Sequence, residues 1–189
     1  SSYAQAAAMA MGRAMDDVII SAATGTSFTG ETGSTSTVLP SAQKITEGST
    51  AGLTIAKLRT AKQTFDLNSV DPSIPRFIIV SPRQINDLLG TTEVTSSDFN
   101  TVKALANGEI NSFLGFNFIV SNRLSIASSK RLCIAFAQDG ITLAVGKDVQ
   151  ARIDERADKS YATQVYYCMS IGATRMEEEK VVEVQAHEA

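Results

Sequence analysis

Apolar residues recur every three or four positions early in this chain and on alternate positions late in it. That change of period predicts helices first and strands afterwards. Residues 3–24 read as one long helix. Ala4, Ala6, Ala7, Ala8, Ala10 and Ala14 supply propensity, and Met11, Met15, Val18 and Ile19 fall at helical spacing before a stop at Gly25. At the helical rise this element would be about 33 Å long, too long for surface decoration. The run from Gly25 to Thr37 then holds Gly, Ser and Thr with almost no apolar residues, the composition of an exposed, mobile loop.

Thr54 is placed to cap a second helix whose apolar face holds Ile55, Leu58, Ala61 and Phe65, with Lys57, Arg59 and Lys62 largely elsewhere. Asp71-Pro72-Ser-Ile-Pro75 ends it, because proline disfavours helix in the residue before it. Phe77 to Val80 reads as a buried strand. Ser81-Pro82 opens a helix that turns Ile85, Leu88 and Leu89 inward and stops at Gly90. A short helix is predicted over 98–106, a strand over 116–120, and a hairpin whose strands, 131–137 and 141–145, flank Gln138-Asp139-Gly140. Residues 149–155 alternate as a half-exposed strand, 163–176 form a long strand-like run, and 180–184 a closing strand. The sum is an α+β fold without an internal repeat.

Composition narrows the function. The chain has 189 residues, 43% hydrophobic and 20% charged, which is ample for a core. Its 17 Lys and Arg are scattered among 20 Asp and Glu for a net charge of −3, so it lacks the basic face of a protein built to grip phosphate backbones. No apolar run approaches the roughly 20 residues that cross a bilayer, so no membrane contact is expected. The Ala/Met-rich opening lacks the basic flank of a signal peptide. Because Ser1 already lies inside a helical pattern, a further N-terminal portion is expected ahead of it. Cys133 and Cys168 sit among apolar neighbours and read as free thiols in a reducing compartment.

Catalytic constellations are missing from the sequence. His187, the one histidine, lies near the end in what reads as a frayed tail and cannot serve as a positioned base. Two distant cysteines and one histidine make no metal set, and no cofactor is expected. The Gly-rich stretch has no Gly-Lys-Ser/Thr ending and follows a helix, unlike a phosphate-binding loop. Adjacent Asp16 and Asp17 point about 100° apart on a helix and read as a solvated face. Glu177 to Glu179 reads as a charged turn, and Tyr161, Tyr166 and Tyr167 as core or interface packing. Arg152, Asp154, Glu155 and Arg156 make a mixed-charge strand, worth little inside one chain but able to set register between chains.

Four segments in order carry a resemblance: Gly12-Arg-Ala-Met-Asp-Asp-Val-Ile-Ile20, Gly108-Glu-Ile-Asn-Ser-Phe-Leu-Gly-Phe-Asn-Phe-Ile-Val-Ser-Asn-Arg-Leu124, Gln138-Asp-Gly-Ile-Thr-Leu-Ala-Val-Gly146 with Val149 to Arg156, and Ile171 to Val184. Together they resemble the major capsid proteins of tailed phages, of the Hong Kong 97-type fold, across nearly the whole chain. The resemblance implies a spine helix and peripheral-domain loop over 1–50, an axial domain over 51–165, and closing strands over 166–189 that return to the peripheral domain. It implies a structural subunit and not an enzyme. Its partner would be itself, in pentamers and hexamers of an icosahedral shell assembled in the host cytoplasm. Packaged double-stranded DNA would be touched only non-specifically, and scaffolding or decoration proteins belong to the same picture.

Candidate subunit-interface residues are Arg13, Asp16, Asp17, Arg152, Asp154, Glu155, Arg156 and Arg175. Gly115, Phe116 and Phe118 are candidate structural residues, Gly115 as a site of positive φ or close backbone approach. The N-terminal arm and extended loop of the resembled family have no counterpart here, so this stretch alone is expected to remain a monomer or small oligomer. The family's lysine–asparagine crosslink is not carried over, because Asp158-Lys-Ser-Tyr161 offers no asparagine. The alternatives are an encapsulin-type shell protein enclosing enzymes, or a small-molecule-binding α+β domain with a converging pocket.

Overall fold

A computed structural model describes residues 2–46, 50–90 and 112–188. The predicted helix at 98–106 lies outside the described residues. Helix α1 (Ser2–Thr24) ends where the Gly25 N–H donates to the Ser21 carbonyl at 2.9 Å. The expected mobile loop is instead a small exposed hairpin, β1 (Ser27–Thr29) with β2 (Thr35–Thr37), closed over Gly30 to Ser34. Its backbone pairs supply the order that its polar side chains do not signal.

A larger sheet follows. Strand β3 (Lys44–Ile45) precedes α2 (Ile55–Leu67), whose Thr54 hydroxyl accepts from the Lys57 N–H at 3.4 Å as the cap pattern predicts. Next come β4 (Arg76–Val80) and α3 (Pro82–Leu89), where the Gln84 side chain accepts from the Ser81 N–H at 3.1 Å. Strands β5 (Ser112–Phe113), β6 (Phe116–Val120), β7 (Ile126–Ala127) and β8 (Lys130–Ala137) precede the long pair β9 (Ile141–Arg156) and β10 (Ala162–Arg175), and β11 (Val181–His187) closes the chain. Among the described residues the large sheet runs β3-β11-β8-β4-β6-β5, with β7 on β8.

The register puts Ile78, Phe116, Phe118, Ala135, Val182 and Val184 on one face. Helix α2 covers that face with Leu58, Ala61 and Phe65, and the Phe65 ring centroid lies 6.0 Å from that of Phe116. Lys57, expected off the apolar side, is buried. Its Nζ donates to the carbonyls of Ala51 (2.8 Å), Gly52 (3.0 Å) and Gln185 (2.9 Å), and burial pulls its pKa down. This lysine ties the start of α2 to β11. No periodicity could have marked it, because its acceptors are backbone atoms brought together by the fold.

Two expectations are corrected by the sheet. The turn at Gln138-Asp139-Gly140 exists, its Gly140 N–H donating to Ala137 at 2.8 Å, but β8 and β9 do not pair. Both edges of β8 are already taken, by β11 and by β4, so β9 is turned out of the sheet. The closing strand β11 lies inside the large sheet, while β9 and β10 form a separate two-stranded one. His187 is not frayed, since it pairs with Lys130 and its N–H donates to Ala51 at 3.0 Å.

The end of the chain is pinned by a carboxylate. Arg131 donates from Nε (2.6 Å) and Nη2 (2.8 Å) to Glu188, which holds that carboxyl below its ordinary value of 4.5. A lowered folded pKa adds stability that is present above the unfolded value and lost as pH falls through the folded one. Melts taken from about pH 6 to about pH 3 should therefore decline more steeply for the parent chain than for Glu188→Gln. Parallel declines would remove this pair from the acid response.

Gly115 bears out its conformational reading. Leu114 (φ +52°) and Gly115 (φ +85°) form the two-residue turn between β5 and β6, where Phe113 pairs with Phe116. A Cβ on Gly115 would meet nothing within 4 Å, so the cost of alanine is conformational and not steric. Gly115→Ala is expected to lower stability by about 1 kcal/mol. A denaturant midpoint equal to the parent's would make the glycine incidental.

Candidate functional site

Strands β9 and β10 form an arm about 45–50 Å long at the strand rise. Cross-strand pairs sort its side chains onto two faces. Val145–Ile171, Ala151–Tyr167 and Ile153–Val165 lie on one side; Gln150–Cys168, Arg152–Tyr166 and Asp154–Gln164 line a shallow polar trough on the other. Ser160 and Tyr161 hold φ of +54° and +59° at the tip and present a tyrosine that is 72% exposed.

Helix α1 packs chiefly against β10. Cover along that strand fades from buried Arg175 at the base, through half-buried Ile171 and Tyr167, to exposed residues from Tyr166 to Ala162. Among the described residues of α1, β9 and β10, only Ile20, Ala23 and Arg175 are buried. This layer has almost no core of its own. A two-stranded ribbon in water is marginal, and an exposed apolar ladder on one marks a surface built to be covered.

Each predicted interface residue can now be placed. Arg175 is a correction: instead of facing outward, its buried guanidinium donates to the carbonyls of Ala23 (3.0 Å), Gly25 (2.9 Å) and Thr37 (3.2 Å), and burial pulls its pKa down. It satisfies carbonyls that the end of α1 leaves without helical partners. Asp17 is engaged within the chain, accepting from Arg123 Nε at 2.7 Å and from Nη2, contacts that hold its carboxyl below the usual range. Arg123, 106 residues away, tethers α1 to the segment after β6, and nothing local in the sequence marks it. Arg156 donates to Asp158 at 2.8 Å within the arm. Arg13, Asp16, Arg152, Asp154 and Glu155 are exposed, and none has an ion-pair partner among the described residues. The structure brings Arg152 to Glu155 together on the arm and leaves Arg13 and Asp16 on the outer surface of α1. Phe116 is buried and Phe118 half-buried, on the shared sheet face.

Among the described residues no three His, Cys, Asp or Glu side chains gather to hold a metal, and no helix is long and apolar enough to cross a membrane. Both cysteines are free, and burial pushes the Cys133 thiol up to about 12, so it is not a nucleophile near neutral pH.

A spine helix along a long two-stranded arm, joined to a helix-covered sheet, is the arrangement of the Hong Kong 97-type fold. The model of the phage capsid protein family matches residues 1–188, and the chain belongs to that family. Two similar solved structures come from phages. Against a chain from Mycobacterium phage Che8 the identity is 19%, the TM-score 0.66, and the match covers 96% of this chain and 61% of the other. For the capsid of cyanophage P-SCSP1u the figures are 18%, 0.69, 98% and 66%. The SrpI encapsulin of Synechococcus elongatus PCC 7942 shares the fold more loosely, at 10% identity and a TM-score of 0.52, covering 79% of this chain and 55% of that one. This chain thus spans less than two thirds of the length of these solved chains. No curated protein matches it significantly.

Proposed function

We propose that this chain is the shell-building part of a major capsid subunit, whose work is to join copies of itself into the closed head of a tailed phage around double-stranded DNA. One observation carries the reading: α1, β9 and β10 bury only Ile20, Ala23 and Arg175 among the described residues, so the arm calls for cover from beyond them, which a neighbouring copy can supply. In this reading α1 with β9 and β10 is the peripheral unit, and the large sheet, β11 included, is the axial one. Arg152, Asp154 and Glu155 set register where neighbouring arms meet, and Arg13 and Asp16 serve the outer face of α1. Many modest contacts, each repeated by symmetry, close the shell through effective concentration.

The test is electron microscopy and light scattering on protein made from the complete reading frame. Closed shells of uniform diameter are expected, and Arg152→Glu should reduce their yield, less so at high salt, where charge across the contact is screened. Particles of monomer size under all conditions would overturn the assembly reading. Shells that copurify with an enzyme and no DNA would move the protein to the encapsulin class.

A further inference from the structure

We propose that the exposed face of α2 is the seat for the Met176–Glu179 turn of a second copy of this chain. The proposal rests on the self-assembly reading and names one of its contacts. Helix α2 presents Arg59 and Lys62, three positions apart and therefore neighbours on its surface. They border a shallow depression of about 690 Å³ that also takes in Leu67, 75% exposed, and Leu114. Neither cation has a carboxylate within 4.0 Å among the described residues. The acid in the depression, Asp66, is already engaged by Arg76 at 2.8 Å, so the face is left with net positive charge.

The complement lies between β10 and β11. The Met176 N–H donates to the Gly140 carbonyl at 2.9 Å, which fixes the turn while leaving the Met176 side chain outside, 59% exposed. Glu177 and Glu179 flank it, both exposed. Glu177 shares Lys180 with Asp139, at 3.1 and 2.6 Å, and Glu179 makes no ion pair among the described residues. The turn is therefore acidic with an apolar knob, against a helix face that is basic with apolar leucines. The Asn68 amide donates to the Glu179 carbonyl at 3.4 Å, which anchors the turn at the C-terminal end of α2. From there its carboxylates do not reach Arg59 or Lys62 of their own chain. Each chain carries both the basic face and the acidic turn, the latter with Glu179 outside any ion pair among the described residues, and such a chain joins copies head to tail. Exposed charges meeting across an interface set orientation and on-rate, while the methionine supplies the buried apolar contact.

The experiment is a charge exchange in the full-length protein, read by sedimentation and shell yield at near-physiological salt. Arg59→Glu with Lys62→Glu is expected to lower assembly by about tenfold, Glu179→Lys to lower it by a smaller factor, and the three together to recover much of the loss. Circular dichroism and thermal melts check that every variant is folded; a misfolded pair is replaced by Arg59→Gln with Lys62→Gln. Assembly at parent level in the folded reversal, or no recovery in the triple variant, would overturn the contact. Shells that form normally but retain less DNA would assign the α2 face to nucleic acid instead. A parent protein that never assembles would remove the self-assembly reading itself, a result distinct from these.

Discussion

Phe65→Ala is expected to lower stability by about 3–5 kcal/mol, the largest effect of any single truncation considered for the large sheet. The Phe65 ring is fully buried, lies 6.0 Å from Phe116, and carries the Arg76 guanidinium 5.3 Å above its centroid. Removing it opens a cavity where α2 meets β6 and takes away the ring that faces a buried cation. Arg76 would keep its bonds to Asp66 (2.8 Å) and to the Val70 carbonyl (3.0 Å), but its Nε already lacks an acceptor, so the site has no spare polar partner to offset the loss. A denaturant melt reads the change directly. A loss below about 1 kcal/mol would mean that the site collapses freely and that α2 is not the clamp on this face.

Arg175→Met is expected to cost about 2–4 kcal/mol, with the loss concentrated where α1 meets the arm. Methionine keeps much of the volume but donates to none of the carbonyls of Ala23, Gly25 and Thr37, of which the first is buried and the other two partly so. Amide exchange should quicken in the last turn of α1 and across β2 before the large sheet responds, because opening free energies differ between parts of one structure. If protection in that turn is unchanged, the guanidinium is not what holds helix, hairpin and arm together.

The two substitutions illustrate what was legible in advance. Phe65 was marked by period alone: it falls on the same stripe as Leu58 and Ala61, and burial follows from the stripe. Arg175 is by sequence only a candidate interface residue, because nearest-neighbour pattern says nothing about carbonyls 150 residues away. Lys57 and Arg123 escaped for the same reason, their acceptors being backbone or carboxylate oxygens delivered by distant elements.

Local chemistry, then, determined the elements: the alanine-rich helix, the Thr54 and Ser81 starts, the αL glycine at 115, and the alternation along the arm, each set by forces acting within a few residues. Only the tertiary structure decided which strands pair. Backbone edges are identical in kind wherever they occur, so β8 could take β9 or β4 by local rules. The assignment of its edges to β11 and β4 depended on which neighbours bury Ile134, Ala135 and Val182 together. That choice expelled β9, made the arm, and left its apolar ladder exposed, an exposure that alternation along a strand does not by itself reveal.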